Sequence, residues 1–343
     1  MSFKYKVLSI DGGGIRGMIP AKILAEIEKR TGKPICQLFD LIAGTSTGGI
    51  LGLALSKPHP KNKTQPHYTA NDIVDLYVNN GSEIFYESII NRYVKSDDFL
   101  YPKFPSKGRD RVLEEYLQDT LLKNALTNIF VTSYDIELRR PVFFINNPHR
   151  QKLGENFRQL CDGYTMKQAG MATSAAPTYF EPYKIDTIDK TDNGYYALID
   201  GGVFANNPTN LAIMEALIAS KQSGEVPLQL NEILVVSLGT GSLIRKYLYE
   251  DAKNWGLIKW VAPLINVVLD SGSESVACQL EQLLPVVDGY PQQYYRFQAP
   301  LSEANDDMDD ATPRNIQELK NLGDLIIRHE DTALDKLCHL LTN

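Results

Sequence analysis

Histidine, tryptophan and cysteine are all scarce in this chain of 343 residues, which carries 5 His, 2 Trp and 4 Cys. The cysteines (Cys36, Cys161, Cys278 and Cys338) show no C-x-x-C spacing and no neighbouring His pair. Neither a zinc site nor a disulfide framework is indicated, and they read as reduced thiols, mostly in the core. Positive charge is also short: 35 Lys plus Arg against 42 Asp plus Glu leave a net charge of -7. That balance excludes a strongly basic nucleic-acid binder, and no nucleic-acid partner is expected. A long hydrophobic run is missing too. The most apolar stretch, Trp260–Leu269, is interrupted by Pro263 and Asn266 and falls well short of the roughly 20 residues that a membrane span needs. The opening MSFKYKVLSIDGG has no apolar core followed by small residues, so a cytoplasmic location is expected.

What is present is ordinary globular composition, 43% apolar and 22% charged, with no internal repeat and no linker that divides the chain. A single domain over residues 1–343 is expected, with 1–242 carrying the motifs and 243–343 packed on it as a mainly helical extension. Periodicity predicts strands over Lys6–Ile10, Phe39–Ala43, Asn128–Asp135, Arg140–Ile145, Tyr195–Ile199, Glu232–Leu238 and Tyr294–Gln298. Helices are predicted over Pro20–Arg30, Gly49–Leu55, Thr69–Val94, Lys107–Lys123, Tyr164–Ala176 and Pro208–Ser220. The strand, helix, strand, helix opening indicates an α/β fold with a mostly parallel sheet.

Three strands end in unusual turns: Asp11-Gly-Gly-Gly-Ile-Arg-Gly17, Gly44-Thr-Ser46-Thr-Gly48 and Asp200-Gly-Gly202. In an open parallel sheet the loops after strand C-termini share one edge, so these turns are expected to meet there. Ser46 lies on a strand-to-helix turn with a glycine two residues to either side, the nucleophile-elbow pattern, and the following helix points its positive end at the hydroxyl. The alternative is a Gly-rich helix packed closely on the sheet. Gly12, Gly13 and Gly14 can aim backbone N–H groups at an anion, as an oxyanion hole requires. Arg16 either adds a positive charge there or orients the loop. Gly12 to Gly17 also fits the dinucleotide pattern G-x-G-x-x-G, but Asp40, the acid at the right spacing, stands at the start of the second strand instead of at its C-terminal end.

A serine hydrolase usually has a histidine base, and none of His59, His67, His149, His329 and His339 follows a Gly-rich strand end. His329 and His339 keep open the Ser, Asp, His order of an α/β-hydrolase triad, although both lie in a helical pattern. That leaves Asp200 as a direct base for Ser46, a role that requires exclusion of water because an ordinary Asp is weakly basic, with a pKa of about 3.9. The competing reading is an Asp that caps the turn before Asn206-Asn-Pro.

With Ala172-Thr-Ser-Ala-Ala-Pro-Thr-Tyr-Phe180 added to these turns, the four ordered motifs resemble the patatin-like phospholipase family over roughly residues 5 to 240. The resemblance implies a three-layer sandwich with a central, mostly parallel sheet flanked by helices. It implies a lipid acyl hydrolase of phospholipase A or galactolipase type with Ser46 and Asp200 as a catalytic dyad, Gly12, Gly13, Gly14 and Arg16 at the oxyanion hole, and no cofactor or metal. Its partner would be a membrane lipid at an interface, reached by peripheral contact. A non-catalytic storage or dinucleotide-binding protein is the alternative of another class.

Two further segments stand out. The acidic run Asp306-Asp-Met-Asp-Asp310 lacks the Gly and the distal Glu of a calcium loop and is expected to be a solvated surface loop. Trp255–Leu269 holds both tryptophans with Lys253 and Lys259 close by. It is either a core helix on the sheet or a cover and docking surface beside Ser46.

Overall fold

The computed structural model describes residues 3–84, 102–153, 156–187, 194–222 and 226–343. A ten-stranded sheet is built from β1 (Tyr5–Ile10), β2 (Leu41–Thr45), β3 (Asn128–Asp135), β4 (Arg140–Ile145), β5 (Lys152–Leu153), β6 (Arg158–Leu160), β7 (Tyr183–Asp186), β8 (Tyr195–Asp200), β9 (Ile233–Leu238) and β10 (Tyr294–Phe297). The order β10-β9-β1-β2-β3 is parallel throughout, and β4 then joins β3 antiparallel. Side chains alternate along each strand, so the two faces have separate cores. Leu8, Ile10, Ile42, Val131 and Val236 pack under helices Met18–Thr31, Thr47–Ser56, Ala70–Ile84 and Met166–Thr173. Val7, Leu41, Ala43, Phe130 and Val235 face helix Thr209–Gln222 and the end of helix Leu257–Leu283. Two helical layers over one mostly parallel sheet is the expected sandwich, and helices Pro313–His329 and Asp331–Thr342 supply the helical C-terminal part.

Helix Met18–Thr31 ends as the sequence predicts, with Gly32 in the left-handed conformation (φ 64°) receiving the chain. The helix expected over Thr69–Val94 is observed as Ala70–Ile84, and the remainder lies outside the described residues. Three short strands, β5, β6 and β7, had no sequence expectation. Each has four residues or fewer, too short for an alternating pattern to emerge.

Correction is needed to how the three turns meet. β8 is not parallel to the strands that carry the other two: it runs antiparallel to β3. On β3, Thr132 pairs with Thr45, the last residue of β2, and the next residue, Ser133, pairs with Asp200, the last residue of β8. β2 and β8 therefore run head to head along the same edge of β3. Their C-terminal ends, with Ser46 and Asp200, abut without sharing a strand direction.

Candidate active site

Ser46 follows β2 and caps helix Thr47–Ser56 with φ 54° and ψ −123°. A non-glycine residue in this region costs of order 1–3 kcal/mol and is held only by its surroundings. The glycines on either side explain how the turn closes. A Cβ on Gly44 would stand 2.2 Å from the Gly48 carbonyl oxygen, and one on Gly48 would stand 2.2 Å from that of Ile10. The backbone N–H of Ser46 donates to Thr173 Oγ1 at 2.8 Å.

Asp200 is 4% exposed. Its carboxylate accepts hydrogen bonds from the Ser46 hydroxyl and from the Gly202 backbone N–H, the latter at 2.7 Å. Burial pushes this carboxyl up to about 6, against the downward pull of the two hydrogen bonds and the Arg109 guanidinium. The result is a stronger base than an Asp in water, seated on the proton of Ser46.

The glycine loop arches over the same point. Gly12 approaches so closely that a Cβ there would meet Asn206 Oδ1 at 2.3 Å and Ser46 Cβ at 3.3 Å. Its N–H donates to Asn206 O at 3.0 Å, and its carbonyl accepts from Thr240 Oγ1 at 2.7 Å. Thus the Gly239-Thr-Gly241 turn fastens the loop. Gly13 and Gly14 line the cavity in front of Ser46, and their N–H groups have no acceptor among the described residues. Arg16 lies behind the loop, buried, with Nε donating to Gly13 O at 3.2 Å. It borders a small polar pocket with Asp11, Thr240, Asp270 and Ser273 rather than the main cavity.

That cavity has a volume of about 300 Å³. Ser46, Asp200, Gly13, Gly14 and Thr47 form one wall, and most of the remaining lining is apolar: Ile50, Leu76, Val112, Leu113, Phe180, Leu264, Val268 and Leu269. None of the five histidines lines it. His59 and His67 pack edge to face in a loop, and His339 pairs with Asn343 at the C-terminus.

The core-helix expectation for Trp255–Leu269 is not met: no described side chain of the segment is buried, and in the helix it opens, Leu257–Leu283, burial begins only at Ser273. Ser273, Ala277 and Leu280 are buried on the molecule, and Leu264, Ile265, Val268 and Leu269 roof the cavity. The first turns are bare: Leu257 is 85% and Ile258 67% exposed, with Trp260 and Val261 half-exposed beside them. Pro263 interrupts the helix ladder between these turns and the roof.

The acidic run is not a solvated loop. Asp306 and Asp307 pair with Arg245, Asp309 pairs with Lys103, and Asp310 accepts from Thr312 and Asn305. Between them Met308 is buried in the cavity wall, and its carbonyl accepts the Ile15 N–H at 2.9 Å. The cations lie 61 to 206 residues away in sequence, so the local charge pattern alone gave the wrong answer. Among the described residues no cluster of His, Cys, Asp and Glu is arranged to hold a metal ion.

A hydroxyl on a strained strand-to-helix turn, facing a buried carboxylate in an apolar cavity on an α/β sandwich, has the layout of a lipid-directed hydrolase. The sequence profile "Patatin-like phospholipase" matches residues 8–213, and the chain belongs to that family. "Patatin-like protein 2" of Oryza sativa subsp. indica is 31% identical over 356 residues, spanning 96% of this chain and 85% of that protein. A relative from Solanum tuberosum named "Probable inactive patatin-3-Kuras 1" is 30% identical, spanning 98% and 92%. In three dimensions, VipD from Legionella pneumophila overlaps 94% of this chain and 67% of its own, with a TM-score of 0.38 and 12% identity. Family membership supports lipid acyl hydrolase activity.

Proposed function

We propose that the protein hydrolyses fatty-acyl esters of membrane glycerolipids through Ser46 and Asp200, without a histidine and without calcium. The observation that carries this reading is the hydrogen bond from the Ser46 hydroxyl to a buried Asp200 whose carboxyl is raised to about 6. As Ser46 Oγ attacks the ester carbonyl carbon, Asp200 takes its proton. The carbonyl oxygen becomes an oxyanion beside the unpaired N–H groups of Gly13 and Gly14, while Gly12 and Arg16 hold that loop in shape. Collapse expels the alcohol, which leaves with the proton from Asp200, and an acyl-Ser46 ester remains. Water, deprotonated by Asp200, then attacks this ester, the fatty acid is released, and Asp200 returns the proton to Ser46 Oγ. The apolar cavity takes the acyl chain, and the bare turns at Leu257, Ile258, Trp260 and Val261 rest on the lipid surface.

The test is fatty-acid release from phospholipid and galactolipid vesicles, followed by mass spectrometry in excess chelator. Wild type is expected to release acid, and Ser46→Ala to release none. Undiminished release by Ser46→Ala, or release that needs added calcium, would overturn the reading.

A further inference from the structure

Three consecutive residues at the C-terminal end of helix Met166–Thr173 bridge the two members of the pair. Thr173 Oγ1 accepts the Ser46 N–H at 2.8 Å, and the Ala175 carbonyl accepts the Asp200 N–H at 3.0 Å. Between them, the Ser174 carbonyl accepts from Arg109 Nη1, and the Ser174 hydroxyl donates to Gly170 O at 2.6 Å. The strap Thr173-Ser174-Ala175 thus sets the distance between Ser46 and Asp200, and Arg109 is its outside anchor.

Arg109 belongs to helix Ser106–Leu117 and is 1% exposed. Its guanidinium stacks 4.2 Å from the centre of the Phe180 ring, also on the cavity wall. It enters no ion pair among the described residues, and its Nε and Nη2 have no hydrogen-bond partner there. The charged and titratable groups that face it are Asp200, Tyr183, Glu181 and Asp110, and Asp200 acts on it most strongly. A cation this deeply buried is costly, and carbonyls and aromatic rings that ask for no charge could be held by a neutral side chain.

We propose that Arg109 is a positioning residue for the hydrolytic pair, anchoring the 173–175 strap through Ser174 and presenting its positive charge on the wall of the cavity that Asp200 also lines. This rests on the Ser46–Asp200 reading. The two roles separate by substitution: Arg109→Lys keeps the charge and loses the planar fork, whereas Arg109→Met keeps the bulk and loses the charge.

The experiment is the pH dependence of kcat and KM on a soluble short-chain ester for full-length wild type, Arg109→Lys, Arg109→Met and Asp200→Asn, with thermal melting as the control for folding. In Arg109→Met, loss of the cation raises the Asp200 pKa, so the acidic limb is expected to move up by about one pH unit. Its kcat should also fall about tenfold or more at little cost in KM. In Arg109→Lys the limb is expected to stay in place while kcat drops. A folded Arg109→Met with an unmoved limb would overturn the proposal. Should that variant not fold, a folded Arg109→Lys with unchanged kcat would overturn it equally. If the wild-type limb is absent, or Asp200→Asn leaves it intact, the dyad reading itself has failed, and Arg109 has nothing to position.

Discussion

Asp200 is held where a carboxylate does not want to be. A carboxyl raised by burial binds its proton more tightly in the folded protein than in the unfolded chain. Its ionisation therefore subtracts stability at pH above about 6. That penalty is absent below the ordinary Asp value of 3.8 and grows as pH rises through the interval between the two. Asp200→Asn, which keeps an acceptor for the Gly202 N–H, is expected to melt about 3 °C or more above wild type at pH 7.5. Its turnover is expected to fall about 10²-fold or more. Calorimetry and a soluble-ester assay check the two effects, and equal melting temperatures at pH 7.5 would show that Asp200 carries no burial cost. Ser46 and Asp200 were legible in the sequence because glycines beside a strand end leave a local mark. Thr173 and Arg109 were not, because each acts across 127 or 65 residues on a group that its own neighbours do not reveal.

Among the elements, helix Leu257–Leu283 is the one whose opening segment admitted two answers, and the structure rules out the core helix there, because the described side chains of Trp255–Leu269 are exposed or half-buried. The turns before Pro263 expose Leu257, Ile258 and Trp260, while those after it roof the cavity. Trp260 packs edge to face on Trp255, which in turn packs on Tyr247. This aromatic row gives the bare end a firm backing without covering it. Trp260→Ala is expected to lower activity on phospholipid vesicles severalfold and to leave hydrolysis of a soluble short-chain ester nearly unchanged. Equal losses on both substrates, read in parallel assays, would assign Trp260 to folding instead of docking. β8 presents the converse case. Its strand pattern and terminal Asp200 were plain from alternation and glycines, but its direction against β3 was not. Direction is set by which neighbour completes the edge of β3 once β2 has ended, and that is a tertiary choice.

Across the whole molecule, the part after residue 242 is built into the fold as well as packed against it. β10 completes the parallel edge of the sheet beside β9. From it Arg296 reaches Asp11 with two hydrogen bonds, at 3.0 and 2.6 Å, and Ser237 with a third at 2.9 Å. Asp11 is 1% exposed and opens the glycine loop, so the C-terminal part sets the loop in front of Ser46 from behind, as Met308 does from the side. Arg296→Met would leave that carboxylate buried without its cation and is expected to cost about 3 to 5 kcal/mol in denaturant unfolding. A loss below about 1 kcal/mol would mean that the pair is dispensable. Sequence motifs made the first two thirds readable because they concentrate there. The contributions of Arg296 and Met308 were hidden, since a buried ion pair spanning 285 residues leaves no periodicity to detect.

The expectations about activity depend on Ser46 being a nucleophile activated by Asp200. The most direct measurement is the rate at which a fluorophosphonate modifies the folded protein, followed by mass spectrometry from pH 4.5 to 8.5, with the adduct located by peptide mapping. The expected result is one adduct, on Ser46, forming at a rate that rises with a midpoint near pH 6, as the value of about 6 for Asp200 requires, and that falls about 10²-fold in Asp200→Asn. An unmodified Ser46 in folded protein, or a rate indifferent to Asp200, would contradict it.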